Sequence, residues 1–329
     1  MTTHGSVREP ATWKIVAAFA AVYLIWGSTY LAIRFVVETL PPFVMAGARF
    51  IVAGCLLYAW ARYKGAARPT LAHWRTTAII GGLLLLGGNG GVVWAEKHVP
   101  SGLTALIVAT VSLWITLIDW LRKGGVRPTG KVVVGIILGL TGVGILVGPS
   151  QFAGAERIDP IGAGVLVLAA LSWAIGSVYS RHVKLPASSL LTTAMEMLGG
   201  GACLLIFGTL VGDWSALDLS RVTVKSAASL GYLIGFGSLI GFTAYMWLLK
   251  VTTPARAATY AYVNPVVAVI LGWLLAGEAM SPRTIIAAAV IVTGVVFITR
   301  GAKPAAKKQE ASEPIEVDEP AAVAICTDA

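Results

Sequence analysis

Ten apolar runs, each closed by charged residues, glycine or proline, organise this chain. They cover roughly residues 13–34, 43–61, 76–95, 102–120, 131–148, 161–180, 187–211, 226–249, 257–276 and 283–299. About 20 apolar residues cross about 30 Å of hydrocarbon as a helix. Lipid offers the backbone no hydrogen-bond partners, so helices are the spanning form such runs permit. The pattern predicts an all-α integral membrane protein with ten transmembrane helices. The first run lacks a small-residue cleavage site at its end and continues into Tyr30-Leu31-Ala32-Ile33-Arg34, so it reads as a span and not as a removable signal.

The two halves of the pattern resemble each other. Trp26 and Arg34 recur as Trp173 and Arg181, 147 residues on. Thr141-Gly142-Val143 recurs as Thr293-Gly294-Val295 at an offset of 152, Trp94 as Trp247 at 153, and Pro100 as Pro254 at 154. Four matches in the same order, at offsets between 147 and 154, predict an internal repeat of five spans per half. Five is odd, so the second half enters the membrane from the opposite side. That is a 5+5 inverted repeat, an architecture of secondary transporters with the substrate site near the midplane between the halves.

Composition agrees. Hydrophobic residues make up 57% of the 329 residues and charged residues 12%, about half the share of a soluble domain. This excludes a soluble enzyme and a disordered chain. The net charge of +9 does not mark a nucleic-acid binder, because Lys and Arg fall in short runs between spans. With a cytoplasmic N-terminus, 18 of the 25 Lys and Arg lie inside and six outside, leaving Arg49 within a span. Both termini are therefore expected in the cytoplasm, and the chain is expected as a multi-pass protein of the cell inner membrane. The expected organisation is a cytoplasmic segment at 1–12, a first repeat at 13–148, a connecting loop at 149–160, a second repeat at 161–300 and a solvated, disordered tail at 301–329.

Leu24-Ile25-Trp26-Gly27-Ser28-Thr29-Tyr30 resembles the opening motif of the EamA-type drug/metabolite transporter superfamily. Arg49 in the second span, Gly277-Glu278 after the ninth and Thr293-Gly294-Val295 in the last add to the likeness, which covers about residues 13–300. Val99-Pro100-Ser101-Gly102 resembles its YedA-like branch. The resemblance implies a secondary transporter, an exporter of small metabolites such as amino acids or related amphipathic solutes, working by alternating access. It also implies a cavity among helices 1, 3, 4, 6, 8 and 9, with helices 2 and 7 peripheral. Two positions depart from the pattern. Ser112 stands where many relatives carry proline, and Leu121-Arg122-Lys123-Gly124 replaces a Gly-Glu ending, so the fourth helix is expected to bend less than the ninth, which keeps Asn264-Pro265.

No catalytic motif is visible: there is no GxSxG, HExxH or GxxxxGK[ST]. Cys55, Cys203 and Cys326 have no metal-site spacing, so neither a metal nor a cofactor is expected. The chain has two asparagines, Asn89 and Asn264, both within spans. An amide in lipid is costly unless paired, so both are expected to face the interior, as solute ligands or as ties between helices. Gly87, Gly88, Gly90 and Gly91 flank Asn89 and loosen its helix. Trp26, Tyr30, Thr110, Trp114, Trp173, Tyr245, Tyr260 and Tyr262 complete the candidate lining, as packing residues or as the walls of an amphipathic pocket. Arg49 and Glu196, again 147 apart, are the most deeply placed charges and the candidates for coupling, Glu196 for a proton. Glycine pairs Gly135 and Gly139, Gly231 and Gly235, and Gly237 and Gly241 permit close helix approach. The expected partners are a small-molecule solute and the lipid bilayer, with a homodimer left open. A passive channel or a membrane protein that transports nothing are the competing readings.

Overall fold

A computed structural model of the chain describes residues 11–99, 104, 107–147, 159–276 and 282–302. The predicted features at Pro100-Ser101-Gly102, Gly277-Glu278, 1–10, 149–158 and 303–329 lie outside the described residues. Among the described residues the fold is helical, without strands. In chain order the helices are α1 (Thr12–Val37), α2 (Pro42–Tyr63), α3 (Leu71–Ala95), α4 (Ile107–Leu121), α5 (Gly130–Val147), α6 (Pro160–Ser180), α7 (Ser189–Leu210), α8 (Val224–Val251), α9 (Tyr260–Ala276) and α10 (Pro282–Gly301). Among them α1, α2, α3, α6, α7 and α8 are long and apolar enough to cross a membrane, while the apolar stretches Ile107–Leu121, Gly130–Ile145 and Ile285–Gly301 are shorter.

Local chemistry sets the ends. Pro42 and Pro160 open α2 and α6 at positions where a missing N–H costs nothing. The Asp159 carboxylate accepts from the Ile161 and Gly162 amides at 3.0 and 3.1 Å. Thr70 and His73 form a reciprocal cap at α3, and Thr223 and Ser226 form one at α8. The cap of α2 comes from the other half of the chain: Asp213 Oδ2 accepts from the Phe43 and Val44 amides at 2.8 and 3.1 Å.

Two helix pairs pack through small residues, and their contacts are reciprocal. A Cβ added to Gly54 on α2 would lie 3.1 Å from the Ala194 carbonyl and 2.9 Å from Leu198 Cγ. One added to Gly201 on α7, 147 residues after Gly54, would lie 3.1 Å from both the Gly47 carbonyl and Ile51 Cγ1. Gly47 and Ile51 in turn precede Ala194 and Leu198 by 147. The α5–α10 crossing repeats the relation at the offset of 152: Gly135 abuts the Gly294 carbonyl, and Gly142 abuts the Ala287 carbonyl. The expected approach at Gly231 and Gly235 does not occur, since both face open space. Gly139 is filled by the Tyr262 ring, and Gly241 by Trp26.

Wide turns interrupt α3 and α8 at corresponding places. Gly82–Gly90 and Leu233–Phe242 are π-helical, which fits one more residue into each turn. Asn89 lies in the first of these segments, where the flanking glycines predicted a loosened helix.

Candidate functional site

Among the described residues a cavity of about 100 Å³ opens between α1, α2, α3, α4, α6, α8 and α9. By the usual allowance this holds several waters or a compact solute. The walls are largely aliphatic and aromatic, with a few polar groups at fixed places, as is usual for small-molecule sites.

The first polar group is the Arg49–Asn89 pair. Arg49 reaches the wall from α2 and is 5% exposed. Its Nη2 donates to Asn89 Oδ1 at 3.4 Å, a long bond, and the guanidinium lies 4.2 Å from the Phe50 ring centroid. The buried Arg49 Nε has no hydrogen-bond partner. The resemblance implied a peripheral α2, yet Arg49 and Phe50 bring α2 into the lining. The second polar group is Asn264 on α9, 2% exposed, whose Oδ1 is buried without a partner.

An aromatic cluster forms another wall. Trp26 meets Trp173 and Tyr260 edge to face, with centroids 5.6 and 4.9 Å apart. Tyr245 sits directly behind them, 5.2 Å from Trp26 and 5.4 Å from Tyr260. Hydrogen bonds fix the rings: Trp26 Nε1 donates to the Gly237 carbonyl at 3.1 Å, within the π-helical part of α8. Trp173 Nε1 donates to Tyr245 Oη at 3.0 Å, and Ser177 Oγ lies 2.7 Å from the same oxygen. These bonds give the wall a single orientation.

The candidate residues thus divide. Asn89, Asn264, Tyr260, Trp26, Trp173 and Arg49 line the cavity, and Tyr245 supports it. Tyr262 does not line it. Residues 260 and 264 share a helical face, whereas 262 lies nearly opposite, and its ring packs on Gly139 of α5. Thr110 bonds its own helix at the Ile107 carbonyl, while Trp114 packs against a buried cluster that includes Ile115 and Val178; α4 instead presents Val108 and Val111 to the cavity. Ser112 Oγ donates to the Ala258 carbonyl at 2.9 Å, tying α4 to the approach to α9. The Tyr30 side chain lies outside the described residues. Glu196 is fully buried on α7 beside Gly81 and outside the lining, with neither carboxyl oxygen hydrogen-bonded. Thr29 and Phe242 line the cavity without having been foreseen. Phe242 follows Asn89 by 153, the offset of Trp94 and Trp247, so the repeat signal already pointed to it.

Among the described residues no group of His, Cys, Asp and Glu is arranged to hold a metal ion. Beyond the spans, burial pushes the Glu96 carboxyl up to about 8 at the end of α3, and burial also lowers Arg181. Arg181 donates to the Leu249 and Thr252 carbonyls, which fastens α6 to the end of α8.

The profile of the EamA-like transporter family matches residues 12–148 and 160–300. The chain is 42% identical over 289 residues to the uncharacterized inner membrane transporter YedA of Escherichia coli K12, covering 87% of this chain and 91% of that one. It is 24% identical to the uncharacterized transporter YoaV of Bacillus subtilis, over 87% and 97% of the two chains. A solved crystal structure superposes with a TM-score of 0.71 at 23% identity, covering 88% of this chain and 98% of the other, a likeness of fold.

Proposed function

The chain belongs to the EamA-like transporter family, and we propose that it is a secondary transporter which exports a small amphipathic solute by alternating access around the central cavity. One observation carries this reading: the cavity is enclosed by helices from both halves, with Trp26, Arg49 and Asn89 from the first and Trp173, Tyr260 and Asn264 from the second. The reciprocal α2–α7 and α5–α10 contacts and the paired π-helical segments support a 5+5 inverted repeat of ten spans. In such an arrangement the two halves exchange conformations, and the same site opens first to one side and then to the other. Asn89 and Asn264 bind the polar part of the solute, while Trp26, Trp173 and Tyr260 hold its apolar part. Glu196 carries the coupling proton. The charge bias supports cytoplasmic termini in a cell whose inner membrane holds the protein.

The test is counterflow in vesicles holding the purified protein. Solute preloaded inside accelerates uptake of labelled solute on a carrier and leaves it unchanged through a channel. Equal uptake with and without preload, across a metabolite panel, removes the carrier reading. Topology is tested by reporters fused after residue 329; periplasmic activity there removes the ten-span arrangement.

A further inference from the structure

The charge lining the cavity is one-sided. Among the described residues Arg49 is the charged residue of the wall, and the lining there holds no Asp or Glu. Among the described residues the ion pair is Arg122–Asp119, near the end of α4. No carboxylate there comes within 4.0 Å of Arg49. The acidic residue at the repeat-related position, Glu196, lies outside the lining.

A guanidinium has five N–H donors. Here Nε is buried without a partner and Nη2 reaches Asn89 only at 3.4 Å, so much of that capacity is unused. A buried cation without an anion is costly, and the Phe50 face offsets only part of the cost. Leu85, Val108, Val111 and Trp173 of the same lining supply apolar surface.

We propose that the solute itself supplies the missing anion: it is a small monocarboxylate whose head docks on Arg49 and whose hydrocarbon tail lies on the apolar wall. This rests on the transporter reading of the same cavity and names its substrate class. A carboxylate matches the planar fork of a guanidinium, with two parallel N–H···O bonds. One negative charge balances the single cation, whereas a dianion such as a phosphate monoester leaves a net charge in the cavity. The occupied cavity is then neutral and the empty one is not. A neutral occluded state crosses between the two openings at lower cost in a low-dielectric surrounding. Asn89 holds the guanidinium in place and keeps its own amide N–H groups for the same head.

Three probes with one tail separate the head groups: 3-methylbutanoate, its amide and 3-methylbutylamine. Binding is measured by the melting temperature of the purified full chain as probe is titrated, and transport by counterflow in vesicles. The carboxylate is expected to bind at least about tenfold more tightly than the amide, with the amine weakest. Arg49→Gln is expected to abolish this preference, and Arg49→Lys to keep part of it, because the charge stays while the fork is lost. The wild-type comparison needs no variant to fold. Equal or tighter binding of the amide or the amine overturns the assignment, and so does failure of all three to bind. Counterflow of a neutral or cationic solute, with no carboxylate preferred, overturns the anion assignment and leaves the transporter reading standing. Absence of counterflow for every solute removes the transporter reading itself.

Discussion

The indole rings of Trp26 and Trp173, which stand 147 residues apart at corresponding places in the two halves, meet edge to face with centroids 5.6 Å apart. On the proposed inverted repeat, residues it relates meet one another when they lie near its axis; the Trp26–Trp173 contact forms a wall of the cavity. An aromatic pair of this geometry is worth about 0.5–1.5 kcal/mol beyond its buried area. In a double-mutant cycle with Trp26→Leu and Trp173→Leu, the double variant is expected to miss the sum of the singles by that amount. Additive losses in thermal denaturation show that the contact carries no coupling.

The small-residue crossings make a sharper steric prediction. A Cβ on Gly294 would stand 2.8 Å from both the Gly135 carbonyl oxygen and the Gly139 amide nitrogen, backbone atoms that cannot swing aside. Gly294→Ala is expected to destabilise by about 1–3 kcal/mol, through separation of α5 from α10. Gly231 on exposed helix meets nothing within 4 Å, so Gly231→Ala is expected to be neutral or to stabilise by up to about 1 kcal/mol. Melting temperatures of the two variants moving together contradict this account of the packing.

Much of the helical order was legible because apolar runs and their breaks follow from the bilayer itself. The repeat offsets were legible too, and they coincide with the reciprocal contacts of Gly54 and Gly201. What sequence could not give was direction around each helix. Tyr260 and Tyr262 both sit close to Asn264 in sequence, yet only Tyr260 shares its face. Thr110 and Trp114 failed for the same reason, since Val108 and Val111 point into the cavity. Arg49 was underrated because its helix was expected at the periphery, while a long side chain carries charge well beyond its own backbone. The π-helical turn in α8 carries no asparagine like Asn89, and Gly235 and Gly237 within it signalled only close helix approach.

At the end of α3, burial pushes Glu96 up to about 8 from an ordinary value near 4.5. Between those values the folded protein holds a proton that the unfolded chain has released, so stability falls as pH rises through this window. Melting temperature is expected to drop from pH 5 to pH 8. Glu96→Gln, which stays neutral throughout, is expected to remove that part of the slope. An identical slope in the variant assigns the effect to another group.

Glu196 is the fully buried acid of α7, outside the cavity, with Lys250 of α8 the charged group that acts on it and Ser189 Oγ holding that lysine at 3.1 Å. If it carries the coupling proton, Glu196→Gln fixes it in the uncharged form. Net solute movement driven by a pH gradient is then expected to collapse while solute exchange without a gradient continues. A gradient response equal to that of the wild type reduces Glu196 to packing.

Asn89 and Asn264 line one cavity, and the two roles open to each amide give opposite results. As a solute ligand, either one replaced by Leu leaves the polar part of the solute unpaired. A hydrogen bond of about 0.5–3 kcal/mol then translates into an affinity lower by about two- to more than 100-fold, with the melting temperature nearly unchanged, since Leu suits a membrane interior and roughly keeps the volume. As a tie between helices, the amide matters to the fold: melting temperature or yield falls, while the protein that does fold binds normally. Asn89→Leu is expected to lose affinity, because Asn89 has its Oδ1 on Arg49 and lies in the wide turn of α3. Asn264→Leu is expected to move both quantities, because Asn264 sits beside Pro265 within α9, where its backbone carbonyl also approaches Gly27 of α1 at 3.3 Å from the position a Cβ would take. Normal affinity in both variants takes the two amides out of the binding site.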